Sequence, residues 1–410
     1  MVSSHAHVGY RASKQRRRAA VGAALLDDVT KWFGRFIAVT NPDDLYLFGL
    51  WPVHTYLVNE LYTTPRLLID SIMPSSGKTT VLDHLHRLCY GAVQAANLTS
   101  PALIPRLLED RKQVTILLDE ADRNLRPDRP GVEDLIGILN SGYRSGATRP
   151  VLVQRGNGWE AREMPTFAPV AMAGNSPHLP LDTLTRSIRV LLMPDFEGTV
   201  EDSDWELIEA EAGELKKRIG DWTEEIRENI KGLAVDLPKG CIGRSREKWR
   251  PLMRIAVAAG GDWPAITTRL IEANMAEDDA EREAGLKTLP PGMVVMIDLH
   301  TVWPSGETFV PTKQLVSKLI SHNPDYWGSD SSYGKPLTET RLGRLVSQAC
   351  KVTSCRPDTH GQRGYLWSQL APTWRRLGID PHIQPGEPGE PGEPGADAQP
   401  PLSGLSGSAG

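Results

Sequence analysis

One stretch constrains this chain more than any other: Pro74-Ser75-Ser76-Gly77-Lys78-Thr79-Thr80. It follows an apolar run, residues 66–72, that predicts a buried strand, and it leads into residues 79–90, whose apolar spacing predicts a helix. Few folds use a strand, a glycine-bearing turn and a helix in that order. Successive N–H groups of such a turn curl into a nest for an anion, and the helix adds the positive end of its dipole. Gly77 then permits close backbone approach, Lys78 bridges the β- and γ-phosphates, and Thr79 offers its hydroxyl to Mg²⁺. The full glycine-rich pattern wants a glycine where this chain has Ile72, so the nest opens on Pro74 and two serines.

A second stretch gives the first its meaning. Residues 114–118 form an apolar run that ends in Asp119-Glu120-Ala121-Asp122. The plain reading is a buried strand with a solvated acidic turn. Behind a phosphate loop, however, Asp119 is placed to hold Mg²⁺ through water, and Glu120 to orient and polarise an attacking water. The order of the two motifs, each in strand context, predicts ATP or GTP binding with Mg²⁺. Two later positions fit a ring ATPase. Asn175 ends a small-residue run, residues 170–174, where an amide senses the γ-phosphate; a turn-closing Asn is the alternative. Arg186 precedes another apolar run and is read as reaching a neighbouring subunit's site, with Arg189 as competitor. The catalytic set is therefore Lys78, Asp119, Glu120, Asn175 and Arg186.

Further strands are expected at residues 151–154, 167–173 and 188–192, with a helix at 132–139. Strands alternating with helices imply a parallel sheet covered on both faces. The fold class is α/β: a P-loop NTPase core of the AAA+/ASCE-like type, a helical lid subdomain and a C-terminal winged-helix domain. With 410 residues, roughly two to three domains are expected. Residues 1–20 are basic, aperiodic and expected to be disordered; 21–195 form the ATPase core, 196–305 the lid and 306–380 the winged helix. Residues 381–410, with three Gly-Glu-Pro repeats, are expected to be a disordered tail, too short to sustain a triple helix.

Hydrophobic residues make up 40% and charged residues 24% of the chain, and no stretch approaches the ~20 uncharged apolar residues of a spanning helix. Four scattered cysteines argue for a reducing cytoplasm. Cys350, Cys355 and His360 offer only three zinc ligands, and His84 and His86 cannot share a helix face, so no metal pair is expected there. Asn97-Leu98-Thr99 matches a glycosylation sequon, which carries no weight in a cytoplasmic chain.

The four strings Ser76-Gly77-Lys78-Thr79, Leu118-Asp119-Glu120-Ala121-Asp122, Ile138-Leu139-Asn140-Ser141-Gly142-Tyr143-Arg144 and Thr185-Arg186-Ser187-Ile188 resemble an uncharacterised ATPase family. It is found in actinobacteria, their phages and mobile elements, often behind a primase–polymerase domain. Trp249-Arg250-Pro251-Leu252-Met253-Arg254-Ile255-Ala256 and Gly260-Gly261-Asp262-Trp263-Pro264 resemble its downstream block, so the likeness covers roughly residues 45–380. The resemblance implies an AAA+-like or helicase-like ATPase working in DNA replication or mobile-element biology.

The net charge of −5 hides an asymmetry: residues 311–380 hold ten Lys/Arg against five Asp/Glu. A recognition helix over 338–349 would offer Thr338, Arg341, Arg344 and Gln348, and a wing over 356–363 would offer Arg363; a protein-binding winged helix is the alternative. In the core, the Gly-rich basic segment 140–155 offers Tyr143, Arg144, Arg149 and Arg155 to single-stranded DNA; an ordinary surface hairpin is the alternative. The expected partners are DNA, further copies of the chain in a ring of hexamer type, and a primase or other replication protein. Competing readings are a nucleotide-switched adaptor and a defence ATPase, neither with motor activity.

Overall fold

The computed structural model describes residues 2–95, 103–126, 131–283, 290–329, 331, 334–357 and 361–379. The sequon at Asn97, His360 and the 381–410 tail lie outside them. The chain divides into two units, Met1–Ala280 and Glu281–Gly410.

The first unit opens with α1 (Val2–Phe36), α2 (Asp44–His54) and a 3₁₀ turn over Thr55–Glu60. Then follow β1 (Arg66–Ser71), α3 (Lys78–Leu88), β2 (Ala92–Ala95), α4 (Leu103–Arg111), β3 (Thr115–Leu118), α5 (Ala121–Asn124) and α6 (Val132–Ser141). After them come β4 (Thr148–Arg155), β5 (Gly158–Pro165), β6 (Val170–Asn175), α7 (Leu181–Leu184) and β7 (Ser187–Leu191). Three helices close the unit: α8 (Trp205–Ile230), α9 (Gly243–Ala259) and α10 (Trp263–Glu283). Five strands form one parallel sheet in the order β2-β3-β6-β1-β7. All six residues of β1 are buried between β6 and β7, which is why it reads as a continuous apolar run and not as an alternation.

Residues 151–154 are a strand, but not of that sheet. They belong to β4, which pairs antiparallel with β5 from Thr148↔Pro165 to Arg155↔Gly158. Burial alternates along β4 and β5 is almost wholly exposed, so the pair is a hairpin with one wet face. α1 reaches back to Val2, where aperiodic sequence predicted no element. An Ala- and Arg-rich stretch has helix propensity without an apolar stripe.

The helices after residue 196 do not form a lid of their own. Ile219, Trp222 and Ile226 of α8 and Trp249, Leu252 and Ile255 of α9 share one core with Phe33, Phe48 and Trp51 of α1 and α2, and with Leu67, Ile69 and Val190 on one sheet face. Their amphipathic periodicity is that of helices packed on a body, and periodicity alone does not say which body. The division at Ala280 also places residues 281–305, expected in the lid, in the second unit.

That second unit contains α11 (Pro291–Val302), β8 (Phe309–Pro311), α12 (Thr312–His322), α13 (Pro324–Trp327), α14 (Glu339–Cys350), β9 (Gly364–Leu366) and α15 (Trp367–Arg376). β8 pairs antiparallel with β9, and an antiparallel bridge joins Cys355 to Gly364. Trp303, Trp327, Tyr365, Trp367 and Trp374 dominate its core. Among the described residues no helix is long and apolar enough to cross a membrane.

Candidate nucleotide site

The turn between β1 and α3 is shaped by two left-handed residues, Ser75 (φ 59°) and Gly77 (φ 82°). At Gly77 a side chain would be strained in that conformation although open space surrounds it. Ile72 has no positive φ among the described residues and is 64% exposed, so its branched side chain turns outward.

The turn folds back on Lys78. Its ammonium donates to Asn175 Oδ1 (2.8 Å), Ser76 Oγ (2.9 Å) and the Met73 carbonyl (3.2 Å). Burial holds this lysine below its ordinary range, against the opposing pull of Asp122, Asp119 and Asp70. One residue on, Thr79 Oγ1 donates to Asp119 Oδ2 at 3.2 Å, across 40 residues of sequence. The parallel sheet brings them together: β3 and β1 flank β6, and both end at the same edge. A hydroxyl and a carboxylate side by side form the hard-oxygen set that suits Mg²⁺.

Asp119 Oδ1 also accepts from the Glu120 N–H at 2.8 Å. Glu120 sits in the left-handed region (φ 51°, ψ 44°), a conformation that costs a non-glycine residue about 1–2 kcal/mol. Its half-exposed carboxylate pairs with Arg123 at 2.9 Å. Asp70 is buried in β1; it accepts from the Ser176 N–H (2.9 Å) and pairs with Arg189 Nε (2.9 Å), binding β1 to the ends of β6 and β7. A lone acid in an apolar strand was the sequence signal for it.

These groups line a cleft of about 960 Å³, at the upper end of the ~300–1,000 Å³ of small-molecule sites. Pro74 through Thr80, Asp119, Glu120, Asp122 and Asn175 form one side. Phe36, Ile37, Ala38, Met193, Val200, Ser203 and Trp205 form the other, and sequence reasoning found none of them. That wall is braced by His84 of α3, whose Nδ1 accepts from Trp32 Nε1 at 2.9 Å while its Nε2 meets Ser203 Oγ at 2.9 Å. His84 stacks on Phe36 and tilts against Trp205. Burial, with Arg87 and Arg35 nearby, pushes it down to about 4, so it is neutral.

Three comparisons bear on the chain. A family model described as a protein of unknown function (DUF3631) matches residues 197–377, a span that begins beyond the phosphate-side residues and takes in α8 to α15. An uncharacterised 28.9 kDa protein of the xis 5′ region of Saccharopolyspora erythraea is 27% identical over 175 residues, 42% of this chain. The match spans 62% of that relative's length. Among solved structures, the apo NrS-1 C-terminal region matches with a TM-score of 0.37 and 13% identity, over 84% of this chain and 75% of that one. The JCV helicase matches at 0.27 and 15%, over 69% and 64%. At these TM-scores neither likeness bears on the chemistry of the cleft.

The other expected site residues are placed differently from one another. Arg186 is 9% exposed; its guanidinium bonds the Asp182 carbonyl and carboxylate, lies 5.9 Å from the Tyr143 ring, and is not among the residues lining the cleft. Tyr143 is fully buried among Arg66, Arg186 and Arg244, so its ring is closed to a base; aromatic character beside basic residues did not reveal which way it points. Arg144 pairs with Glu247, Arg149 with Asp134 and Arg155 with Glu160. The exposed aromatic of this region is Trp159, 69% exposed on β5, next to Leu152 at 67% on β4. In the second unit, Thr338 spends its hydroxyl capping α14, Arg341 lies 6.0 Å from the Trp327 ring, Arg344 and Gln348 face solvent, and Arg363 bonds Ser354. Among the described residues there is no group of three or more His, Cys, Asp or Glu that could hold a metal ion.

Proposed function

We propose that this chain is a Mg-ATP-dependent P-loop ATPase acting on DNA, of helicase or helicase-loader type. The observation that carries this reading is the meeting of Lys78, Thr79 and Asp119 at one edge of a parallel sheet, beside a turn in which Ser75 and Gly77 are left-handed. Lys78 exchanges its three protein acceptors for phosphate oxygens when a nucleotide enters. Thr79 and Asp119 would hold Mg²⁺, which would supply neutralisation of phosphate charge. Glu120 releases Arg123 and accepts a proton from the attacking water. Asn175 positions that water. The wall around Phe36, Ala38, Met193 and Trp205 receives the nucleoside.

DNA contact rests on two surfaces. The β4–β5 hairpin presents Trp159 and Leu152 to solvent, with Arg155 at its tip; a base stacking on an exposed aromatic gains about 1–3 kcal/mol. The second unit's order of helix, strand, three further helices and a strand that pairs back on the first supports a winged helix that reads DNA through Arg344 and Gln348 of α14 and Arg363 of the wing. A reducing cytoplasm suits its four free cysteines.

The test is the ATPase rate of the full chain with and without single-stranded and duplex DNA, with mass measured beside a non-hydrolysable analogue. Turnover stimulated several-fold by DNA and a multi-subunit mass are expected; no turnover under any condition rejects the reading. One observation favours a second reading, a nucleotide-switched adaptor: Arg186 is buried against its own chain instead of extended towards a neighbour. Slow turnover, indifferent to DNA and from a monomer, would select that reading.

A further inference from the structure

Asp122 has no part in the chemistry above, yet with Asp119 and Glu120 it is one of the three acids after β3 that line the cleft. Its carboxylate is committed elsewhere than to Thr79: Oδ1 accepts the Asn175 backbone N–H at 3.0 Å, 53 residues away. The approach is close enough to dictate a neighbour. A Cβ on Gly174 would lie 2.8 Å from Asp122 N and 2.9 Å from its Oδ1. Asn175 is the last residue of β6 in register with β1, opposite Ser71, so its orientation is set at the end of the sheet and not within it. Its side-chain Oδ1 accepts from Lys78 at 2.8 Å. Two hydrogen bonds thus run Asp122 to Asn175 to Lys78 across the floor of the cleft.

We propose that Asp122 is the positioning residue for Asn175: its carboxylate clamps the Asn175 backbone so that the side-chain amide faces the end of the cleft held by Lys78. This rests on the ATPase reading and concerns only how that site is aligned. The three acids therefore divide their work. Asp119 faces Thr79, Glu120 faces solvent and the water it would activate, and Asp122 faces the strand that carries the amide. The sheet fixes Asn175 on its β1 side, where the Ser176 N–H bonds Ser71, and Asp122 fixes it on the other; losing the Asp122 bond frees that side, and misplacement by about 1 Å costs on the order of 100-fold in turnover.

The test compares Asp122→Ala, Asp122→Asn, Gly174→Ala, Asn175→Ala and the pair Asp122→Ala/Asn175→Ala in the full chain. It measures kcat and KM for ATP and the affinity of a non-hydrolysable ATP analogue. Asp122→Ala should lower kcat by on the order of 100-fold with analogue affinity changed only a few-fold. Asp122→Asn keeps an oxygen for the N–H and should recover most of the turnover. Gly174→Ala displaces the carboxylate and should reproduce the loss. The double variant should be no slower than Asn175→Ala alone, because both act through one group. Wild-type kcat in Asp122→Ala, an Asn variant as slow as the Ala variant, or additive losses in the double variant each overturn the inference while leaving the ATPase reading intact. A wild-type chain without turnover overturns both.

Discussion

Lys78 Nζ and Asn175 Oδ1 lie 2.8 Å apart although 97 residues separate them. The lysine belongs to the turn after β1 and the amide to the end of β6, the neighbouring strand. With Ser76 Oγ and the Met73 carbonyl, Asn175 occupies all three donors of the ammonium, so its charge is held in place by the chain's own acceptors.

Lys78→Ala removes the one cation in this set of contacts. ATP turnover should fall by at least about 100-fold, and analogue binding should weaken, as measured by a coupled assay and by calorimetry. Full hydrolysis by this variant would exclude the turn as the phosphate site.

Glu120→Gln keeps the size of the side chain and loses the base. Nucleotide binding should persist while kcat drops by about 10²–10⁴-fold. Single-turnover kinetics separate the two, and unchanged turnover would take Glu120 out of its role.

Arg66 is buried at the start of β1, where its guanidinium donates to the Leu139 and Ala168 carbonyls, tying β1 to the end of α6 and to the segment that enters β6. Burial brings it down to about 9. Arg66→Met should destabilise the first unit by about 3 kcal/mol, because two buried carbonyls lose charged donors. Urea denaturation with an unchanged midpoint would show those bonds to be dispensable.

Trp159→Ala should weaken single-stranded DNA binding by about 1–3 kcal/mol, read by fluorescence anisotropy. Equal affinity in wild type and variant would move the contact away from the hairpin.

Acid should destabilise the fold. His54 and His84 are held at about 4 by burial, below their ordinary 6.5, so the unfolded chain binds their protons first as pH falls. Their contribution, on the order of 3 kcal/mol each, is present above about pH 6.5 and is lost as pH drops towards 4. Asp44, raised to about 7 by burial and by Glu277 and Asp43, opposes this over much of the same window, but two histidines outweigh one acid. Tm should therefore rise between pH 4.5 and 6.5; a flat or falling profile would refute the balance.

The turn before Lys78, the strand ahead of it, the acids after β3 and the amide that ends β6 were legible from sequence because each is a local event. A buried strand is a run of apolar residues, a left-handed turn wants glycine, and polar residues at strand ends announce a site. The parallel sheet followed from strand–helix alternation. What tertiary structure alone decided depends on which distant surfaces meet. Local spacing shows that α8 and α9 have an apolar face but not that it packs on α1 and α2. It shows an aromatic at 143 but not that three arginines enclose it, leaving Trp159 in the open. It shows three acids in a row of four residues, and only the end of β6 arriving beside them turns Asp119 to Thr79 and Asp122 to Asn175. Hydrophobic patterning fixes which side of an element is buried, whereas partners for polar groups are chosen by long-range geometry that no window of sequence contains.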